Sequence, residues 1–157
     1  MIKIKEKGGK KIVQKEDALR EGLMLVASSK IAMLGTIDEQ GYPNVKALIK
    51  MENEGLKRIW FTTNKSSKRV SQLMRNPKSC VYFVDLDQRR GLMLTGTTHI
   101  ITDSQSKRRF WREGNDKYYC LGMFDPDYAI LCFTAKWGNY YHALSNITFR
   151  IPIIPGS

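Results

Sequence analysis

A mainly β protein, an antiparallel barrel with a few short helices packed outside it, is the fold class that this sequence predicts. Three observations carry the prediction. Strand-length stretches rich in β-branched and apolar residues recur along the chain, about six in all. Short polar links such as Asp38-Glu39-Gln40-Gly41 and Glu52-Asn53-Glu54-Gly55 join neighbouring stretches as hairpins. Regular β-α-β alternation, the pattern of a doubly wound parallel sheet, is absent.

The elements follow in order. Glu16 to Ser29 is predicted helical, because Leu19, Gly22, Leu23, Val26 and Ala27 line one face at i, i+3, i+4, i+7 and i+8. Ile31 to Ile37 is a nearly continuous apolar strand, covered on both sides. Its partner, Pro43 to Met51, alternates, with Val45, Ala47, Ile49 and Met51 on one face and Lys46, Leu48 and Lys50 on the other. Lys57 to Thr63 is the third strand. A polar turn, Asn64-Lys65-Ser66, leads into a helix that Asn76-Pro77 stops, and Ser79 to Asp85 is again a strand. Gln88-Arg89-Arg90 turns the chain into Leu92 to Ile101, where Gly96 predicts a bulge or bend. Thr102-x-x-Gln105 has capping-box form and is predicted to open a helix through Trp111. Asp125-Pro126-Asp127 is a turn before the strand Tyr128 to Ala135, and the last strand is Asn146 to Ile151.

With 157 residues, 42% of them apolar, the chain has the size of one domain, residues 16–157, with a basic segment of residues 1–15 ahead of it. No apolar run approaches the roughly 20 residues of a membrane span. The first residues lack the apolar stretch of a secretory signal. Cys80, Cys120 and Cys132 are isolated, which argues against a disulfide framework and suits a reducing cytoplasm. His99 and His142 stand far apart, so no metal site is expected, and His99 reads as structural rather than as a proton donor. The net charge of +11 favours an anionic partner. Lys3, Lys5, Lys7, Lys10 and Lys11 contribute to it from the N-terminal segment, which reads as a solvated mobile arm. Nucleic acid is the lesser alternative, because no helix-turn-helix, zinc finger or aromatic RNA-binding pattern accompanies the charge.

The most informative stretch runs from Trp60 to Pro77. A strand ending in Thr62-Thr63 passes through the hydroxyl-bearing turn and enters a helix whose first turn carries Ser67, Lys68 and Arg69. Free N–H groups at a helix start, hydroxyls and cations together form a phosphate-binding arrangement. Lys46 and Lys50 lie on one face of a nearby strand and add charge. Lys65 reads as a solvated surface cation.

These motifs carry a family resemblance. Gly41-Tyr42-Pro43-Asn44-Val45-Lys46, then Ile59-Trp60-Phe61-Thr62-Thr63, then Ser67-Lys68-Arg69 with Asn76-Pro77 ahead of a strand, resembles the pyridoxamine 5′-phosphate oxidase-like flavoproteins, and more closely their general stress protein branch. Gly96 and Asp125-Pro126-Asp127-Tyr128 fit that branch too. The resemblance implies an FMN-binding split β-barrel that forms a homodimer with flavin at the subunit interface. It implies flavin contacts from Thr62 and Thr63, phosphate contacts from Ser67, Lys68 and Arg69, and a basic residue on the preceding strand at Lys50. Lys46 stands where this branch often has Arg, Ala47 and Leu48 would offer backbone groups, and Trp137 either covers the partner's flavin or packs at the dimer seam. The implied activity is flavin-dependent oxidoreduction of a small molecule, with FAD or a deazaflavin as alternative cofactors. A flavin-storing or sensing protein without turnover and a basic nucleic-acid-binding barrel are the rival readings. Pyridoxamine phosphate oxidation itself is not expected, because the chain ends NITFRIPIIPGS without the Arg-Leu-His-type segment that binds that substrate, and Gly91 replaces a flavin-contacting side chain.

Overall fold

The computed structural model describes residues 4–7 and 10–152. Nine strands and three α-helices run in the order β1 (Ile4–Lys7), β2 (Lys10–Val13), α1 (Lys15–Ser28), β3 (Ile31–Ile37), β4 (Pro43–Glu54), β5 (Arg58–Asn64), α2 (Lys68–Arg75), β6 (Lys78–Asp85), β7 (Arg90–Ile101), α3 (Ser104–Phe110), β8 (Tyr128–His142) and β9 (Ser145–Arg150). Two short 3-10 turns, Asn115–Lys117 and Gly122–Phe124, lie between α3 and β8. Within the basic N-terminal segment, β1 and β2 pair as an antiparallel hairpin.

The remaining strands form one antiparallel sheet in the order β5-β4-β3-β6-β7-β8-β9, and pairing of β5 with β8 closes it into a six-stranded barrel. Leu34, Phe61, Val81, Phe83, Leu94 and Phe133 fill the interior. α1 buries Ala18, Gly22, Leu25 and Val26 against the barrel. Gly22 lets α1 pack closely there, since a Cβ would lie 3.3 Å from a Leu92 methyl group, a tight contact. Arg90 ties α1 to the β6–β7 hairpin, pairing with Glu21 at 2.9 Å and with Asp85 at 3.0 Å. α3 packs outside the barrel, with Phe110 stacked on Trp60 at 5.9 Å.

From α1 onward the element types match the sequence reading and the differences are local, whereas the β1–β2 hairpin lies in the segment that reads as a solvated arm. β8 does not stop at Ala135 but continues to His142. Ahead of Ala135 it pairs with β5 and β7, and after it with β7 and β9. The change of partner occurs at a bulge opposite Thr95 and Gly96, where Lys136 is the extra residue and its carbonyl accepts from Ile151 N–H at 2.9 Å. The cap of α3 is Asp103, whose side chain accepts from Ser106 N–H at 2.8 Å, rather than Thr102. β4 presents its apolar face outward, with Val45 57% and Ile49 67% exposed, while Leu48 on the opposite face packs on the core.

The predicted bend at Gly96 has a steric cause. A Cβ on Gly96 would lie 1.9 Å from the Thr134 carbonyl oxygen, so only glycine fits beside the bulge. Gly96→Ala is expected to destabilise the fold by about 1–3 kcal/mol, as overpacking of a closed site does. Urea denaturation checks this, with a lowered midpoint at unchanged slope as the outcome.

Candidate functional site

The site arises where the barrel splits. β4 pairs with β3 from Pro43 to Ile49, but with β5 only between Lys50–Glu54 and Arg58–Phe61, with a register shift between Lys50 and Glu52. Beyond Phe61, β5 continues alone against β8, through Thr62↔Ile130, Thr63↔Ala129 and Asn64↔Tyr128. One edge of β4 is therefore open over residues 43–49. Lys50 N–H donates to the Lys30 carbonyl at 2.9 Å, so by strand alternation the even positions turn their peptide groups to β3. Val45, Ala47 and Ile49 turn theirs to the open edge. Of the two backbone contributors that the sequence suggests, Ala47 faces the gap, whereas the peptide groups of Leu48 are committed to β3.

At the far side of the gap the chain leaves β5 and enters α2. Ser67 precedes the helix in an extended conformation and makes no side-chain cap of its own. Val70 N–H is the first to find a helical acceptor, Ser67 O at 3.0 Å, and the N–H groups of Lys68 and Arg69 lie ahead of it. The buried Thr63 hydroxyl stands 3.4 Å from Ser67 Oγ and accepts from Arg69 Nη1 at 2.6 Å. Arg69 Nε is buried without a partner among the described residues. Burial pulls the Arg69 guanidinium down from its usual pKa, with the Tyr119 hydroxyl opposing. A partly desolvated cation with an unused donor, beside two hydroxyls and two helix-start amides without an acceptor among the described residues, is the chemistry of an anion site. The residues present therefore fit a phosphate group.

A groove of about 490 Å³ lies alongside, lined by Asp38, Glu39, Asn44, Lys68, Ser71 and Gln72 among others. Gln72 Oε1 accepts from the Thr36 hydroxyl at 2.7 Å and from Asn44 Nδ2 at 3.1 Å, which fixes α2 against the β3–β4 hairpin. Exposed Lys46 shares the strand face of Asn44 and Leu48.

The structure thus gathers Thr63, Ser67, Lys68 and Arg69 in one cradle, with Lys46 on the β4 face turned toward α2. Three other predicted residues lie elsewhere. Lys50 Nζ donates to the Val26 carbonyl at 2.7 Å and to Asn53 Oδ1 at 2.7 Å, capping the C-terminal end of α1. The last turn of α1 has no basic residue of its own, and Lys50 supplies the missing cation from β4. Thr62 faces outward, its hydroxyl 4.0 Å from Met51 Sδ. Trp137 is 48% exposed on the outer face of β8, with the Arg150 guanidinium 5.8 Å from its ring centre. His99 is exposed on β7.

Sequence reading missed the residues that hold the turn. Asp127 accepts from Ser66 N–H at 2.7 Å and from Ser66 Oγ at 3.0 Å, its carbonyl takes Lys65 N–H at 2.7 Å, and Tyr119 OH donates to Asn64 Oδ1 at 2.9 Å. The Asp-Pro-Asp motif was legible as a turn, but nothing local indicates a partner about 60 residues away. Among the described residues no group of three or more His, Cys, Asp and Glu is placed to hold a metal, and no helix is long and apolar enough to cross a membrane.

The family model for pyridoxamine 5′-phosphate oxidase matches residues 16–142. The chain belongs to that family. Within it, a Clostridium acetobutylicum protein related to general stress protein 26 of Bacillus subtilis is 51% identical, over 88% of this chain and 97% of that one, with a TM-score of 0.79. General stress protein 26 of Bacillus anthracis is 17% identical over 85% of this chain and 98% of that one, with a TM-score of 0.69. A heme-binding protein from Mycobacterium smegmatis shares the fold at 13% identity and a TM-score of 0.68, over 85% of this chain and 57% of that one. No match among curated proteins emerged. The pyridoxamine 5′-phosphate oxidase family resemblance read from the short motifs is thereby established, along with the split-barrel fold.

Lys50→Met is expected to lower stability by about 1–3 kcal/mol, because it removes the charged hydrogen bonds from Lys50 Nζ to the Val26 carbonyl and to Asn53 Oδ1. Thermal or urea denaturation checks the loss, and anion binding at the α2 turn, measured by phosphate titration, is expected to stay unchanged.

Proposed function

We propose that this protein binds FMN and uses it in the oxidoreduction of a small molecule. The single observation that carries the reading is the Arg69–Thr63–Ser67 cradle, with its unpartnered Arg69 Nε, at the start of α2. Family membership and the open edge of β4 support it. Lys68, Arg69, Ser67 and Thr63 would hold the phosphate, and the peptide groups of Ala47 would face the ring system. Bound flavin supplies one- and two-electron transfer, while the chain's own residues bind it, orient it and limit access.

Pyridoxamine phosphate is a poor substrate candidate. Arg150, at the end of β9, has its guanidinium engaged 5.8 Å from the Trp137 ring centre. A Cβ on Gly91 would lie 2.4 Å from the Tyr82 hydroxyl, so a side chain there would have to displace the Tyr82 ring.

A homodimer is part of the same proposal. Ile31, Val45, Ile49, Tyr82, Met93 and Trp137 are all between 37% and 67% exposed. The register Ile31↔Ile49, Met33↔Ala47, Met33↔Tyr82 and Tyr82↔Met93 makes them one continuous outer sheet face. An apolar face of that extent favours association. Sedimentation at micromolar concentration is expected to give a dimer, and Ile49→Glu to shift it to monomer.

Purified protein is expected to carry or take up a yellow chromophore that mass spectrometry identifies as FMN, rather than FAD or a deazaflavin. Lys68→Ala is expected to weaken FMN binding by about 1.5–3 kcal/mol, roughly one charge-assisted hydrogen bond, at unchanged stability. A colourless protein that FMN does not reconstitute would refute the reading, and steeply salt-dependent binding of nucleic acid would replace it. Reduced flavin that reacts with no added acceptor would leave a binding protein without turnover.

A further inference from the structure

We propose that Asp127 is a positioning residue that sets the geometry of the phosphate-binding turn from outside it, and so makes the site selective for the phosphorylated flavin over riboflavin. The inference rests on the FMN reading above.

Three hydrogen bonds from two consecutive residues converge on this aspartate. Lys65 N–H reaches its carbonyl at 2.7 Å, Ser66 N–H reaches Oδ1 at 2.7 Å, and Ser66 Oγ reaches Oδ2 at 3.0 Å. The first continues the β5–β8 ladder by one residue beyond Asn64↔Tyr128. The other two absorb both donors of Ser66, so that Ser66 is tied away from the cradle and the next residue, Ser67, opens α2 beside Thr63. The turn is braced on its preceding residue as well, where Tyr119 OH donates to Asn64 Oδ1 at 2.9 Å.

The brace is itself anchored. Asp127 N–H donates to Asp125 Oδ1 at 2.9 Å, Leu121 N–H to Asp125 Oδ2 at 3.2 Å, and the buried Lys107 Nζ to the Asp125 carbonyl at 2.9 Å. Tyr119 and Tyr128 pack edge-on at 5.0 Å under Trp111. The segment from Tyr119 to Asp127 is thus a packed support, and Asp127 is its point of contact with the turn. A carboxylate this close to an anion site would repel a bound phosphate if its only role were electrostatic. Its oxygens instead face donors of the turn, and a turn held in the bound shape loses less conformational freedom on binding.

Full-length, flavin-stripped protein titrated with FMN and separately with riboflavin, followed by flavin fluorescence, tests this. The unaltered protein is expected to prefer FMN. Asp127→Ala is expected to weaken FMN binding about tenfold, equivalent to 1.4 kcal/mol, with riboflavin binding unchanged. Asp127→Asn, whose carboxamide oxygen accepts from Ser66 N–H while its NH2 donates to Ser66 Oγ, is expected to recover most of the loss. Ser66→Ala, which removes one contact, is expected to fall between them. Equal losses for FMN and riboflavin, no loss, or tighter FMN binding in Asp127→Ala would overturn the assignment. Should Asp127→Ala fail to melt cooperatively, Ser66→Ala decides, and an unchanged FMN-to-riboflavin ratio there overturns it. A wild-type protein with no preference for FMN refutes the phosphate cradle itself, and with it this role for Asp127.

Discussion

The constraint on which the rest of the structure depends is that β5 has two neighbours near its start and only one near its end. From Arg58 to Phe61 it lies between β4 and β8, and from Thr62 onward it keeps β8 alone. An opened strand pair in a closed barrel exposes peptide groups that must find partners or face a cleft. Here the opening leaves Ala47 facing a gap and brings the exit of β5, with Thr63 and the first turn of α2, to its other side. A matching adjustment occurs across the barrel, where the bulge at Lys136 lets β8 exchange β5 for β9. Gly96 is the residue that admits that bulge.

The excess of positive charge acquires meaning only when each cation is followed to its partner. Arg90 joins α1 to a hairpin, Lys50 caps α1, Lys107 holds the carbonyl of Asp125, and Arg109 lies on Glu52 at 2.6 Å. Arg69 differs from these. It is partly buried, reaches a neutral hydroxyl and keeps an unused donor, with no carboxylate among its hydrogen-bond partners. A partly buried cation without a counter-charge carries part of the cost of desolvation. An anionic ligand would remove that cost, which is why this arginine rather than the total charge points to a phosphate.

Much of the fold was legible because its signals are local. Hairpin links, the presence of α1, the stop at Asn76-Pro77 and the bend at Gly96 each follow from a few neighbouring residues, whereas the buried face of α1 is Ala18, Gly22, Leu25 and Val26, with Leu23 and Ala27 of the predicted face exposed. The misreadings came where a distant partner decides. The sequence reading ended β8 at Ala135, yet the strand continues, and Gly138 is there to admit the ring of Phe149, 2.5 Å from where a Cβ would lie. Lys50 looked like a ligand for phosphate because it shares a face with Lys46, whereas the end of α1 lies within its reach.

By itself the sequence determined the family, the strand count to within a few, and the strand-turn-helix junction from Thr63 to Arg69, since each is written in short-range spacing and residue type. Tertiary structure decided which cations converge there, which face of β4 turns outward, and that Asp127 holds a turn some 60 residues before it. The physical reason is that strand register and helix docking set distances between residues remote in sequence, and no local pattern encodes those distances.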